Sequence, residues 1–231
     1  MDGTLLKPMR DGEPQLSAAN RALLRGAGVS AVNIIGGMGS GKTSLIRWTL
    51  QSPRPKPRLG VVTADPTAAQ DMALLRRHAP GGVVQVDAGA EGVLSAARFG
   101  VALGRLDLRR VDVLLVENVD PLTGPAGVDL GQDAVAVVCS VGAGDLKASK
   151  CRGLIATADV VVLNKVDLLG VVAFDLAGFR ENVRRINPAA RLIELSTLSG
   201  AGTAEWQDWL TSPDLRNRVI PSRLGEPLRR R

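Results

Sequence analysis

Eight consecutive residues, Gly36-Gly37-Met38-Gly39-Ser40-Gly41-Lys42-Thr43, spell G-x-x-x-x-G-K-[ST]. An apolar run at 31–35 precedes them and reads as a strand; the pattern at 43–51 follows and reads as a helix. No other stretch restricts the fold as strongly. Glycines let the backbone curl so that successive N–H groups face a phosphate, and the helix N-terminus behind them adds partial positive charge. In that context Gly37, Met38, Gly39, Ser40, Gly41, Lys42, Thr43 and Ser44 are the expected phosphate contacts. Lys42 would reach the β- and γ-phosphates, and the Thr43 hydroxyl would ligate Mg²⁺. A glycine-rich turn joining strand to helix is the bland alternative, and the strand–loop–helix order argues against it.

Apolar, β-branched runs recur at 59–63, 83–86, 111–116, 134–139, 160–163 and 191–194. Several are continuous rather than alternating, as expected for strands covered on both faces of a parallel sheet. Helical patterns fall between them at 67–78, 91–103, 174–186 and 203–210. The alternation predicts an α/β chain, a three-layer P-loop NTPase fold with a mostly parallel sheet of about seven strands and helices on both faces. With 231 residues, 45% hydrophobic and 23% charged, the chain suits one domain, 1–231. Residues 1–17, polar and proline-containing at their start, read as a loose arm, and 213–231 as a basic tail.

Ligands of open α/β sheets sit at the carboxyl ends of strands. The run at 160–163 ends in Asn164-Lys165-Val166-Asp167, which matches the guanine-reading pattern N-K-x-D. Guanine presents N1–H and an exocyclic amine that one carboxylate can accept together; adenine lacks that pair, so Asp167 would discriminate. Asn164 would brace the loop, the Lys165 stem would cover the base, and Ser196 and Thr197 would fall in a base-contacting loop. Asp65 and Glu117, at the ends of two further strands, are the acidic candidates for Mg²⁺ beside Thr43. Lys42, Asp65 and Glu117 are thus the candidate catalytic groups, with either carboxylate able to orient an attacking water. No glutamine is placed as an obvious water-positioning group, so turnover is expected to be slow.

The net charge is +6, but 213–231 holds six arginines against Asp214 and Glu226, which leaves the body nearly neutral. Without tyrosine, and with 3% aromatic residues, base-stacking platforms are not expected, so nucleic acid is an unlikely partner. No apolar run has membrane-spanning length and no signal peptide opens the chain, which with two cysteines, Cys139 and Cys151, suggests the cytoplasm. Both thiols read as buried or partly buried, with a metal or redox pair as the minor reading, and His78 reads as a helix C-terminal residue.

These motifs add up to a family likeness. The chain resembles the nickel-insertion GTPases of hydrogenase and urease maturation, the HypB/UreG family, over about 18–210 and more closely on the HypB side. Besides the phosphate loop, the likeness rests on Asn20-Arg21, Val84-Gln85-Val86, Glu117-Asn118-Val119, Asp129-Leu130-Gly131, Gly144-Asp145-Leu146-Lys147, 158–165 and Trp206-Gln207-Asp208-Trp209-Leu210. It implies a GTPase of the signal-recognition/MinD class that binds GTP or GDP with Mg²⁺, dimerises with GTP, and serves a client metalloenzyme or a separate metal chaperone. By the same likeness, Asp145 and Lys147 are candidates for ion pairing across the dimer. The family carries a Cys-His pair after the Val-Gln-Val segment and a cysteine after Glu-Asn-Val; here those positions are Gly92, Val93 and Gly124. Nickel and zinc need imidazole or thiolate donors, so no nickel or zinc site is expected.

The leading expectation is therefore a slow GTPase acting as a nucleotide-driven dimerisation switch in metalloenzyme maturation, without its own transition-metal site. A GTPase chaperone for a cobalamin-dependent enzyme would share these motifs. A P-loop phosphotransferase would need an acceptor pocket and an arginine-bearing lid, and no such insertion is evident.

Overall fold

The computed structural model describes residues 12–65, 72–88, 93–118, 128–143 and 152–216. Seven strands form one sheet: β1 (Ser30–Ile35), β2 (Leu59–Thr63), β3 (Val83–Gln85), β4 (Val113–Glu117), β5 (Ala134–Ser140), β6 (Val160–Asn164) and β7 (Arg191–Glu194). Their order is β3-β2-β4-β1-β5-β6-β7, and every pairing is parallel. Every residue of β1, β2, β4, β5 and β6 is buried, which explains their unbroken apolar runs. Only the edge strands β3 and β7 keep partly exposed positions.

Helices α2 (Lys42–Gln51), α3 (Met72–His78), α7 (Thr203–Thr211) and α8 (Pro213–Arg216) cover one face. Leu45, Ile46, Leu50, Trp206 and Leu210 meet Val32, Ile34, Val113 and Val138 there. Trp206 is fully buried; its indole donates to the Thr49 hydroxyl at 2.9 Å and its ring stacks on Trp209. The other face carries two cores side by side. Helices α1 (Glu13–Gly26) and α4 (Ala96–Leu103) cover β2, β4 and the start of β1, while α5 (Arg152–Thr157) and α6 (Leu176–Ile186) cover β5 and β6. Three layers, helix–sheet–helix, result.

Several boundaries differ from the sequence expectation. The stretch expected as a loose arm, 1–17, is helical from Glu13: α1 starts there with proline in its first turn, where a missing N–H costs nothing. The expected tail at 213–231 begins as α8, and Leu215 joins the core. The helix expected at 91–103 starts at Ala96, because the Ser95 hydroxyl caps it by accepting from the Arg98 N–H. Helix α5 was not expected. Cys139 is buried in β5; Cys151 lies outside the described residues. No helix among the described residues is long and apolar enough to cross a membrane.

Candidate functional site

The carboxyl ends of β1, β2, β4, β6 and β7 meet along one rim of the sheet. Register sets this meeting: Glu117 lies opposite Ile34 on one side and Thr63 on the other, and Asn164 lies opposite Ser140.

After β1 the chain turns through the phosphate loop. Gly41, the N-cap of α2, has a φ of 93°, and a Cβ added there would stand 2.3 Å from Asn164 Nδ2. Only glycine permits both that conformation and that approach. Lys42 is buried, and its ammonium donates to the Gly36 carbonyl at 2.9 Å and the Gly37 carbonyl at 3.3 Å. Met38 stands at the tip, 95% exposed, and Gly39 follows with a φ of 74°. The Ser40 hydroxyl is buried and has no partner among the described residues. Ser44 lies half-buried in the first turn of α2.

Three of the groups expected around Mg²⁺ converge. The Thr43 hydroxyl hydrogen-bonds Glu117 Oε1, and the Thr63 hydroxyl donates to Glu117 Oε2 at 2.7 Å. Thr63 also accepts the Asp65 N–H at 3.2 Å, which brings the half-buried Asp65 beside the pair. Glu117 is wholly buried. Burial lifts its carboxyl above the usual glutamate range, and Asp65 adds to the rise, while the Thr43 and Thr63 hydroxyls and the Lys42 charge pull the other way. A desolvated carboxylate beside a hydroxyl is a hard-oxygen pair that fits a small divalent cation. Thr63 was not among the expected residues; its place two before Asp65, in register with Glu117, was the available signal.

The second half of the site is built on Asn164. Its Nδ2 donates to the Ser40 carbonyl at 3.1 Å, and its Oδ1 accepts the N–H of Lys165 at 2.7 Å and of Thr197 at 3.4 Å. One buried amide thus ties the phosphate loop, the N-K-x-D loop and the 196–200 loop together. Lys165 takes a left-handed conformation, φ 63°, the one such non-glycine among the described residues. A 3₁₀ turn, Val166–Leu168, then leaves Asp167 exposed. The Ser196 hydroxyl accepts the N–H groups of Leu198 and Ser199 at 3.2 and 3.1 Å, so its single proton goes to Asp167 Oδ1.

Gly92, Gly124, Asp145 and Lys147 lie outside the described residues, whereas Val93 is half-buried. Among the described residues no group of three or more His, Cys, Asp or Glu side chains is placed to hold a metal ion.

An all-parallel sheet whose central strand runs into a glycine-rich loop and a helix, next to an N-K-x-D strand end, defines a P-loop nucleotide-binding fold. The sequence profile of the CobW/HypB/UreG nucleotide-binding domain matches residues 30–194, and the chain belongs to that family. It is 35% identical to the probable hydrogenase maturation factor HypB of Methanocaldococcus jannaschii, over 85% of this chain and 89% of that one. It is also 35% identical to the hydrogenase maturation factor HypB of Azotobacter vinelandii, over 84% of this chain but only 64% of that longer protein. The crystal structure of the hydrogenase maturation factor HypB from Archaeoglobus fulgidus superposes with a TM-score of 0.77 at 33% identity, covering 86% of this chain and 96% of that one.

Proposed function

We propose that this chain binds GTP with Mg²⁺, hydrolyses it slowly, and serves as an accessory protein in the maturation of a metalloenzyme, its nucleotide state controlling self-association. The observation that carries the reading is the Asn164 amide, which holds an N-K-x-D loop against a phosphate loop. The names of the relatives, hydrogenase maturation factors, support the choice of client class. Asp167 would accept the guanine N1–H and exocyclic amine, with Ser196 fixing its carboxylate and Thr197 lining the base loop. Phosphates would lie against the backbone of 37–44, next to the Lys42 ammonium. Thr43 and Glu117 would hold Mg²⁺, with Asp65 behind them, and the ion's contribution is to offset charge on the β- and γ-phosphate oxygens. Asp65 or Glu117 orients a water whose oxygen bonds to the γ-phosphorus as the bond to the bridging oxygen breaks, giving GDP and inorganic phosphate.

Gly92, Val93 and Gly124, at positions where the family carries cysteine and histidine, support a switch that acts on a client or a separate metal carrier rather than holding nickel or zinc itself. Three measurements test the proposal. Asp167→Asn should abolish the preference for GTP over ATP, so an unchanged preference refutes the base assignment. Titration calorimetry with Ni²⁺ and Zn²⁺ should give no stoichiometric submicromolar binding; such binding refutes the metal-free reading. Light scattering with a non-hydrolysable GTP analogue, then GDP, reads the association step directly, and equal masses remove it.

A further inference from the structure

Helix α1 and the turn before α4 form a polar network that the nucleotide reading leaves unused. Asn118, next to Glu117, is 1% exposed, and its Oδ1 accepts the buried Leu94 N–H at 3.0 Å. Two residues further on, Ala96 opens α4 and is gripped from both sides by α1. The Glu13 carboxylate accepts the Ala96 N–H at 2.9 Å, and Asn20 Nδ2 donates to the Ala96 carbonyl at 2.9 Å. Asn20 Nδ2 also donates to the Leu130 carbonyl at 3.0 Å, while Arg21 pairs with Asp129 at 2.8 Å. Gly131, φ 92°, lets the two segments touch, since a Cβ there would stand 2.4 Å from the Ser17 carbonyl oxygen. All of this lies on the face opposite α2, yet it ends one residue from the carboxylate that meets Thr43.

We propose that Asn118 is a positioning residue for Glu117, and that Asn20 of α1 supports it from a distance by fixing the start of α4. The peptide that follows Glu117 is held by two independent bonds: its N–H reaches the Ile34 carbonyl at 2.9 Å, and the Asn118 side chain reaches Leu94. The first belongs to the sheet. The second anchors the same peptide to a turn whose Leu94 side chain sits in the core and whose Ala96 is hydrogen-bonded by Glu13 and Asn20 of α1. A buried amide that loses its acceptor must find another, so releasing Leu94 lets the end of β4 shift and moves Glu117 relative to Thr43. Base and phosphate contacts, which rest on Asn164 and the phosphate loop, are untouched by this change. The effect is therefore selective for the divalent ion.

The inference rests on the proposed Mg²⁺–GTP reading, and its test separates the two. In wild type, Asn118→Ala, Asn20→Ala and the double variant, dissociation of a fluorescent non-hydrolysable GTP analogue is followed against Mg²⁺ concentration, beside GDP affinity with Mg²⁺ chelated. Both single variants should keep Mg²⁺-free GDP affinity within about twofold and raise the half-saturating Mg²⁺ by about fivefold to tenfold, the size of one buried hydrogen bond. The double variant should do no worse than the more affected single, because the two residues act through one turn. Unchanged Mg²⁺ dependence in both singles overturns the proposal, as does additivity, or an equal loss of Mg²⁺-free GDP affinity. Should Asn118→Ala fail to fold, Asn20→Ala decides alone. Failure of Mg²⁺ to slow release from the wild type refutes the underlying reading instead.

Discussion

Replacing Asn164 with alanine removes the amide that joins three loops, and the structure allows the cost to be worked out. Three hydrogen bonds vanish: to the Ser40 carbonyl, from the Lys165 N–H and from the Thr197 N–H. At about 1 kcal/mol for each bond, Asn164→Ala should destabilise the nucleotide-free protein by about 3 kcal/mol. For a domain of this size that lowers Tm by about 6–12 °C. Unfolding can be followed through the fluorescence of Trp48, Trp206 and Trp209, which lie on helices α2 and α7, away from Asn164 in sequence. GTP affinity should fall further than stability alone explains, because the loop carrying Asp167 loses its brace to the phosphate loop. Asn164→Asp separates the bonds. It keeps the acceptor for Lys165 and Thr197 but sets a carboxylate oxygen against the Ser40 carbonyl, so the bond to Ser40 should return only in acid, where the protonated group can donate. A loss below about 1 kcal/mol with wild-type GTP affinity would falsify the bridging role, since that is no more than a single bond of ordinary strength where three are removed.

Three further outcomes follow from described contacts. Because burial raises the Glu117 carboxyl, folding favours its protonated form, and this group stabilises the fold less as pH rises from the unfolded value of 4.5 through the higher folded one. Urea midpoints from pH 4 to 8 should therefore show Glu117→Gln gaining on wild type as pH rises; a wild type that gains instead contradicts the assignment. Lys42→Ala should slow GTP hydrolysis by roughly 100-fold or more, as for loss of one preorganised charge, and unchanged turnover would expose a misplaced site. Asn33, fully buried in β1, has both amide atoms without a partner among the described residues, so Asn33→Leu should raise stability by about 1–3 kcal/mol in thermal unfolding; a comparable loss would show that the amide is satisfied in solution.

Legibility in the sequence followed the range of the interaction. The central strands could be read because burial on both faces demands apolar residues at every position, and the 59–63 and 191–194 runs coincide with β2 and β7. The phosphate loop and N-K-x-D were legible because local backbone shape sets them. Helix α1 was hidden by its composition: most of its surface faces solvent, and its buried positions include Ser17 and Asn20. The start sites of α4 and α6 follow from Ser95 and Asp175 caps, local signals that weigh less than the longer helical periodicity around them. What no local pattern encodes is pairing across the fold. Thr63 with Glu117, Asn118 with Leu94 and Asn20 with Ala96 join residues far apart in the chain, and only the strand order brings them together.

That strand order has a consequence for how the chain is made. β1 emerges first, yet its two neighbours in the sheet are β4 and β5, with Ser30 opposite Val113 and Val32 opposite Ala134. During synthesis this central strand, together with the phosphate loop that depends on it, has no partner strand until about half the chain has left the ribosome. The order β2–β3 can form sooner, but without β4 it has nothing to attach it to β1. Nucleotide binding is thus a late event in the life of each molecule, available only once β4 and the N-K-x-D strand beyond it have docked. Until then the nascent chain exposes unpaired strand edges, the condition in which partly folded chains aggregate.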